Sequence, residues 1–124
     1  MEKFEELSPL ALAFLGDSVH TMFVREKVLL GQTNKLNNYH NLAKKFCNAK
    51  AQMLTLEKIA PTLSNEESEV VRKARNAHSK HGAKNYDEET YKKATAFESL
   101  IGFLYLSGQK DRLKEILEIS IQEN

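Results

Sequence analysis

Chain breakers are scarce in this sequence, and they stand where helices should begin or end. Only five Gly and two Pro occur in 124 residues. Ser8 followed by Pro9 is a start signal: the hydroxyl can cap, and Pro suits the first helical position because its missing N–H had no partner to lose. Leu10, Phe14, Val19, Met22 and Phe23 then recur at helical intervals as far as Gly31. Gly16 interrupts that helix at about 1 kcal/mol relative to Ala, a penalty tolerated where another backbone or a ligand must come close.

The same logic partitions the rest of the chain. A second helix is expected from Asn34 to Ile59, with Leu36, Tyr39, Ala43, Phe46, Lys50 and Met53 on one face and Pro61 closing it. Ser64 and Glu67 spell a capping box that opens a third helix through Val70 and Val71 toward Asn76. Residues 77–86 have no apolar period and read as a basic loop. Asp87 can cap a fourth helix, apolar from Ala94 to Leu106 and ended by Gly108. Asp111 stands near the start of a last amphipathic helix carrying Leu113, Ile116, Leu117 and Ile121. No strand alternation and no repeat is present. The expected fold is all-α, one domain over residues 1–124, a length that suits a single core.

Composition removes several classes. Hydrophobic residues at 41% and charged residues at 28% exclude wholesale disorder. The single Cys47 can form no internal disulfide, and no Cys/His cluster has zinc-site spacing. One thiol without a signal peptide points to a reducing cytoplasm. The longest nearly uncharged run, Leu7 to Val24, carries Asp17 and His20 and is shorter than the ~20 apolar residues of a membrane span. It belongs in a core.

The formal charge of +1 conceals an uneven distribution. Residues 35–86 carry ten Lys or Arg against four Glu, a local charge of +6, while the flanks sum to −5. Such asymmetry suits a face built to meet a polyanion, nucleic acid above all. Soluble helices are also commonly Lys-rich on their wet side, so charge alone decides nothing.

Two acids stand in unexpected places. Asp17 is the only formal charge between Glu6 and Arg25, and Glu98 the only one between Lys93 and Lys110. Buried carboxylates need partners, because an uncompensated charge costs several kcal/mol. Each acid either occupies its helix rim or pairs with a distant cation, or the two converge on one divalent ion. Mg²⁺ takes oxygen ligands, keeps several waters and often uses only one or two carboxylates plus substrate phosphate. A water bound there becomes acidic enough to attack phosphorus. Acids and basic region then fit together as parts of a phosphodiesterase.

Three ordered segments carry a family resemblance. Ala11-Leu12-Ala13-Phe14-Leu15-Gly16-Asp17-Ser18-Val19 resembles the signature helix of the ribonuclease III family, E-x-x-E-F-L-G-D-[AS]-V. Thr95-Ala96-Phe97-Glu98-Ser99-Leu100-Ile101-Gly102 resembles that family's second metal-binding helix, D-x-x-E-A-L-I-G. Between them, Arg75-Asn76-Ala77-His78-Ser79-Lys80 and Ala83-Lys84-Asn85 are similar to the R-N-A-K-S…P-K-N stretch of the short Mini-ribonuclease III branch, which has a catalytic domain and no separate double-stranded-RNA-binding domain. The resemblance spans nearly the whole chain. It implies a ribonuclease III-like helical bundle, a homodimer, and Mg²⁺-dependent cleavage of double-stranded RNA leaving 5′-phosphate and 3′-hydroxyl ends. For the branch it implies precursor 23S ribosomal RNA as substrate, with a ribosomal protein that presents it as a further partner. By position, Asp17 matches the catalytic Asp, Glu98 the metal-binding Glu, and Phe14 the aromatic that enters the partner subunit.

The chain also departs from the full-length pattern. Leu10, Ala13 and Thr95 stand where acids are expected, which implies fewer protein ligands and more water around the metal. Lys50 and Gln52, within Asn48-Ala49-Lys50-Ala51-Gln52, resemble a branch word and are expected on the RNA backbone, together with Arg72, Arg75, Asn76, Lys80, Lys84 and Asn85. Duplex RNA is read mostly by shape through phosphates and 2′-hydroxyls, which such residues suit. His78 and His81 read as loop or phosphate contacts rather than a metal pair. His20, one turn beyond Asp17, reads as a hydrogen-bonded structural residue more than a proton shuttle. Tyr39, Phe46 and Tyr105 read as core or dimer surface. Glu66-Glu67-Ser68-Glu69 resembles the acids of all-α nucleotide pyrophosphohydrolases, but acids at a helix start need no such role. A helical RNA-binding dimer without catalysis stands as the other alternative.

Overall fold

The computed structural model describes residues 6–31, 36–77 and 87–122. Among them the chain forms α1 (Pro9–Leu29), α2 (Leu36–Cys47), α3 (Ala49–Ile59), α4 (Asn65–Asn76), α5 (Glu88–Leu106) and α6 (Lys110–Ser120), with a 3₁₀ turn at Ala60–Thr62 and no strand. The all-α expectation holds. So do the caps: Ser8 accepts from the Ala11 N–H, Asp87 from the Thr90 N–H, and Ser64 and Glu67 make the full reciprocal box. Gly108 ends α5 at φ +74°, a left-handed conformation that a side chain would strain.

The expected helix from Asn34 to Ile59 is instead two helices, and Asn48 is the reason. Its Oδ1 accepts from the Ala51 N–H at 2.8 Å while its Nδ2 donates to the Lys44 carbonyl at 2.8 Å. One amide thus closes α2 and opens α3, turning the chain without Gly or Pro.

α5 is the central post. Phe97, Leu100, Ile101 and Leu104 are fully buried, and α1, α3, α4 and α6 all pack on it. Leu12, Ile59, Ala74, Leu113 and Ile116 supply the facing apolar surface. Burying one such side chain contributes about 1.5–3 kcal/mol, so this helix is the fixed frame for anything it carries. It carries Glu98 at mid-length. No described helix is long and apolar enough to cross a membrane.

Candidate active site

A backbone contact brings Asp17 and Glu98 together. A Cβ on Gly16 would lie 1.7 Å from the Glu98 carbonyl oxygen and 2.9 Å from the Gly102 nitrogen. One on Gly102 would lie 2.1 Å from the Leu12 carbonyl oxygen. Only hydrogen fits at both positions, so α1 and α5 cross main chain on main chain. Asp17 follows the first of these glycines, and Glu98 lies one turn before the second. Their carboxyl groups stand close enough to act on each other directly.

Burial pushes the Glu98 carboxyl up to about 8, and the hydrogen bond to Asp17 and the Asp17 charge push the same way, against the Gln52 amide. In the metal-free protein the Glu98 carboxyl therefore keeps its proton near neutral pH. A divalent cation removes the repulsion from Asp17. Among the described residues no group of three or more His, Cys, Asp or Glu can hold an ion. The pair offers two carboxyl groups, oxygen donors of the kind a hard cation takes. Ala13 and Thr95, where the longer family pattern has acids, are buried side chains without charge.

Gln52 joins this pair from α3. It is 4% exposed, and its Nε2 lies 3.4 Å from Glu98 Oε2 and 3.4 Å from His20 Nδ1. The pattern that grouped it with Lys50 as an RNA contact carried no sign of this burial; Lys50 itself is exposed on α3. His20 is fully buried, its ring edge-on to Phe97 at 5.0 Å, and its Nε2 lies 3.1 Å from Ser120 Oγ. Burial lowers His20 to about 4 against the opposing pull of Asp17, so the ring is neutral. It is held on both nitrogens, as expected of a structural histidine. Cys47, half-buried at the end of α2, lies within electrostatic reach of both acids, and burial raises its thiol above the usual range.

The basic residues form a second region. Ser68, Arg72, Arg75 and Asn76 of α4 and Lys92 of α5 line one groove. Arg72 is paired with Glu69 and Arg75 with Glu89. Lys80, Lys84, Asn85, His78 and His81 lie outside the described residues. Phe14 projects from α1 at 82% exposure. Tyr105 is also exposed, whereas Tyr39 and Phe46 are half-buried. The acids at the start of α4 are committed to structure: Glu67 caps the helix and pairs with Arg112, and Glu69 holds Arg72.

Comparison with known proteins agrees with this architecture. Residues 10–109 match the model of the ribonuclease III domain. The Mini-ribonuclease 3 of Brevibacillus brevis is 46% identical over 90% of this chain and 83% of its own length. That of Enterococcus faecalis is 40% identical over 99% of this chain and 95% of its own. A crystal structure of a Fusobacterium nucleatum protein, 31% identical, superposes with a TM-score of 0.88 over 98% of this chain and 97% of the other. From its signature helix to its C-terminal helix, the chain belongs to the ribonuclease III family, in the Mini-ribonuclease 3 group.

Proposed function

We propose that this family member is a Mg²⁺-dependent endoribonuclease that cuts double-stranded RNA at the Asp17–Glu98 pair. The observation that carries the reading is the interacting carboxyl pair, held where α1 and α5 touch by main chain. Asp17 and Glu98 would hold the ion. When bound, the ion supplies an acidified water and neutralises charge at phosphorus. Glu98 would hold a hard cation only as a carboxylate, so holding one would require loss of the proton that burial keeps on it. The attack on phosphorus releases the 3′-oxygen, leaving 5′-phosphate and 3′-hydroxyl ends.

The chain supplies duplex binding by position and charge. Lys50, Arg72, Arg75 and Asn76, with Lys80, Lys84 and Asn85, neutralise backbone phosphates and hold the duplex by its shape. Phe14 makes the dimer contact, so that each subunit addresses one strand. The relevant duplex is precursor 23S ribosomal RNA in the cytoplasm, presented by a ribosomal protein.

The test is cleavage of a defined duplex with Mg²⁺ or chelator, using wild type, Asp17→Asn and Glu98→Gln. Staggered cuts on both strands with 5′-phosphate ends, lost in both variants while duplex affinity persists, are the expected result. Turnover unchanged by chelator or by Asp17→Asn overturns the reading. Hydrolysis of free nucleoside triphosphates with the duplex left intact would move the chain to the pyrophosphohydrolase class.

A further inference from the structure

Four side chains from four helices form one buried hydrogen-bonded line ending on the acid pair. Ser120 at the end of α6 meets His20 of α1, His20 meets Gln52 of α3, and Gln52 meets Glu98 of α5. Ser120, His20 and Gln52 are each no more than 5% exposed. Residues 100 positions apart in sequence are thereby joined. We propose that Gln52 is the positioning residue of Glu98, and that Ser120 and His20 fix the direction in which its amide points.

The direction of every bond follows from the far end. Ser120 Oγ lies 2.6 Å from the Leu117 carbonyl, so the hydroxyl donates there and offers only a lone pair to His20. His20 Nε2 must then carry the ring proton. Its ring is neutral, so Nδ1 is bare and can only accept. Gln52 has to present its NH₂ rather than its carbonyl to that nitrogen. The second hydrogen of the same NH₂ then reaches Glu98 Oε2. With the amide reversed, its carbonyl oxygen would face the bare ring nitrogen, two acceptors with no proton between.

This matters because the last torsion of a Glu side chain has a broad, shallow profile and is not set by its own rotamer wells. Packing fixes where the Glu98 carboxyl sits, and a bond to one oxygen fixes how it is turned. Groups of this kind behind a metal-binding side chain alter metal affinity or turnover by roughly 10–100-fold when removed. The proposal rests on reading Glu98 as a metal-holding carboxylate, and the experiment separates the two.

Metal-free full-length protein is titrated with Mn²⁺ by electron paramagnetic resonance, and kcat and KM are measured on a defined duplex. Gln52→Met keeps the length of the side chain and removes both donors. It should lose about 10–100-fold in Mn²⁺ affinity and in kcat, with KM nearly unchanged. Wild-type Mn²⁺ affinity and kcat with a raised KM would make Gln52 a phosphate contact and overturn the proposal. Glu98→Gln runs in parallel: undiminished Mn²⁺ binding there removes the metal reading itself, whereas loss in Glu98→Gln with none in Gln52→Met removes only the positioning role. Independently of these variants, nitrogen NMR of His20 in the wild-type protein should show Nε2 protonated and Nδ1 bare. The reverse tautomer overturns the relay. Ser120→Ala, which deletes the anchor and leaves the acids untouched, should mix the two tautomers and lower Mn²⁺ affinity less than Gln52→Met; an unaltered His20 signal in that variant counts against it.

Discussion

Gly16 rests on the backbone carbonyl of Glu98, so the residue before one acid is seated on the peptide of the other. Gly16→Ala gains about 1 kcal/mol of helix propensity. The gain is outweighed, because a Cβ 1.7 Å from a carbonyl oxygen forces two main chains apart rather than displacing a flexible side-chain tip. Overpacking of a core typically costs about 1–3 kcal/mol. Gly16→Ala and Gly102→Ala should each lower Tm by several degrees and weaken divalent-ion binding together with stability. A Gly16→Ala protein with wild-type Tm and metal affinity would show that the crossing does not set the site.

The pH dependence of the metal-free protein follows from two groups shifted in opposite senses. His20, lowered from 6.5 to about 4, is neutral when folded, so between those values the unfolded chain binds the extra proton and stability rises with pH. Glu98, raised from 4.5 to about 8, is protonated when folded, so over that range the folded chain binds the extra proton and stability falls with pH. Between pH 4.5 and 6.5 the two slopes oppose each other. Above 6.5 only Glu98 remains, and its contribution declines until about pH 8. In chelator, wild-type Tm should therefore be nearly level across the first interval and fall across the second. Glu98→Gln should instead rise through the first interval and level off afterwards. A calorimetric series in chelator checks this, and identical profiles for the two proteins would contradict it.

Arg112 ties the last helix to the start of α4. Its guanidinium meets both Glu67 carboxylate oxygens at 3.0 and 3.1 Å and the Thr62 hydroxyl at 3.1 Å. Burial alone would raise Glu67, but the hydrogen bonds from Arg112 and the Ser64 N–H hold it below the usual carboxylate range. Arg112→Ala strands a buried carboxylate and should destabilise by about 3–5 kcal/mol. Adding Glu67→Gln should restore part of that loss, because the stranded charge is gone. Urea unfolding of the two single variants and the double variant measures the coupling; additive losses would mean the pair is not coupled.

Much of this was legible in local sequence. Ser8, Ser64, Asp87 and Gly108 act within a turn or two of themselves, so their caps and stops could be read directly. Asp17 and Glu98 were legible as charges out of place, although only the Gly16–Gly102 crossing brings them together. The break at Asn48 was not legible: Asn is common inside amphipathic stretches, and its double bonding to Lys44 and Ala51 exists only once both helices form. Gln52 reads, with Lys50, as part of a branch word. Its partners lie 32 and 46 positions away in sequence, and no pattern along one helix encodes contacts of that range.

Phe14 is 82% exposed and Met22 71% exposed on the same helix, apolar area that costs free energy in water. Phe14→Glu touches no core residue, so the stability of the single subunit should be unchanged. Association should be lost. Sedimentation equilibrium at micromolar concentration would show a monomer in place of a dimer, and a dimer that persists would remove Phe14 from the contact.

Arg72 and Arg75 carry the remaining prediction because neither is a free cation. Arg72 is held by Glu69, and Arg75 by Glu89 from the first turn of α5. If the proposed RNA contact is made there, a phosphate must replace a carboxylate at each, an exchange that conserves one ion pair while releasing condensed counterions from the duplex. Exposed pairs of this kind contribute little, so the carboxylates yield readily but still compete. Arg72→Ala and Arg75→Ala should weaken binding to every duplex alike, each reducing the slope of log K against log salt by about 1. Glu89→Ala should act in the opposite direction, tightening duplex binding at low salt without altering cleavage position, because it removes the competitor and leaves the cation. Lys80→Ala with Lys84→Ala should also flatten the slope. Filter binding across a salt series resolves all four, and if Glu89→Ala weakened binding, Arg75 would need its carboxylate for orientation and the competition argument would fail.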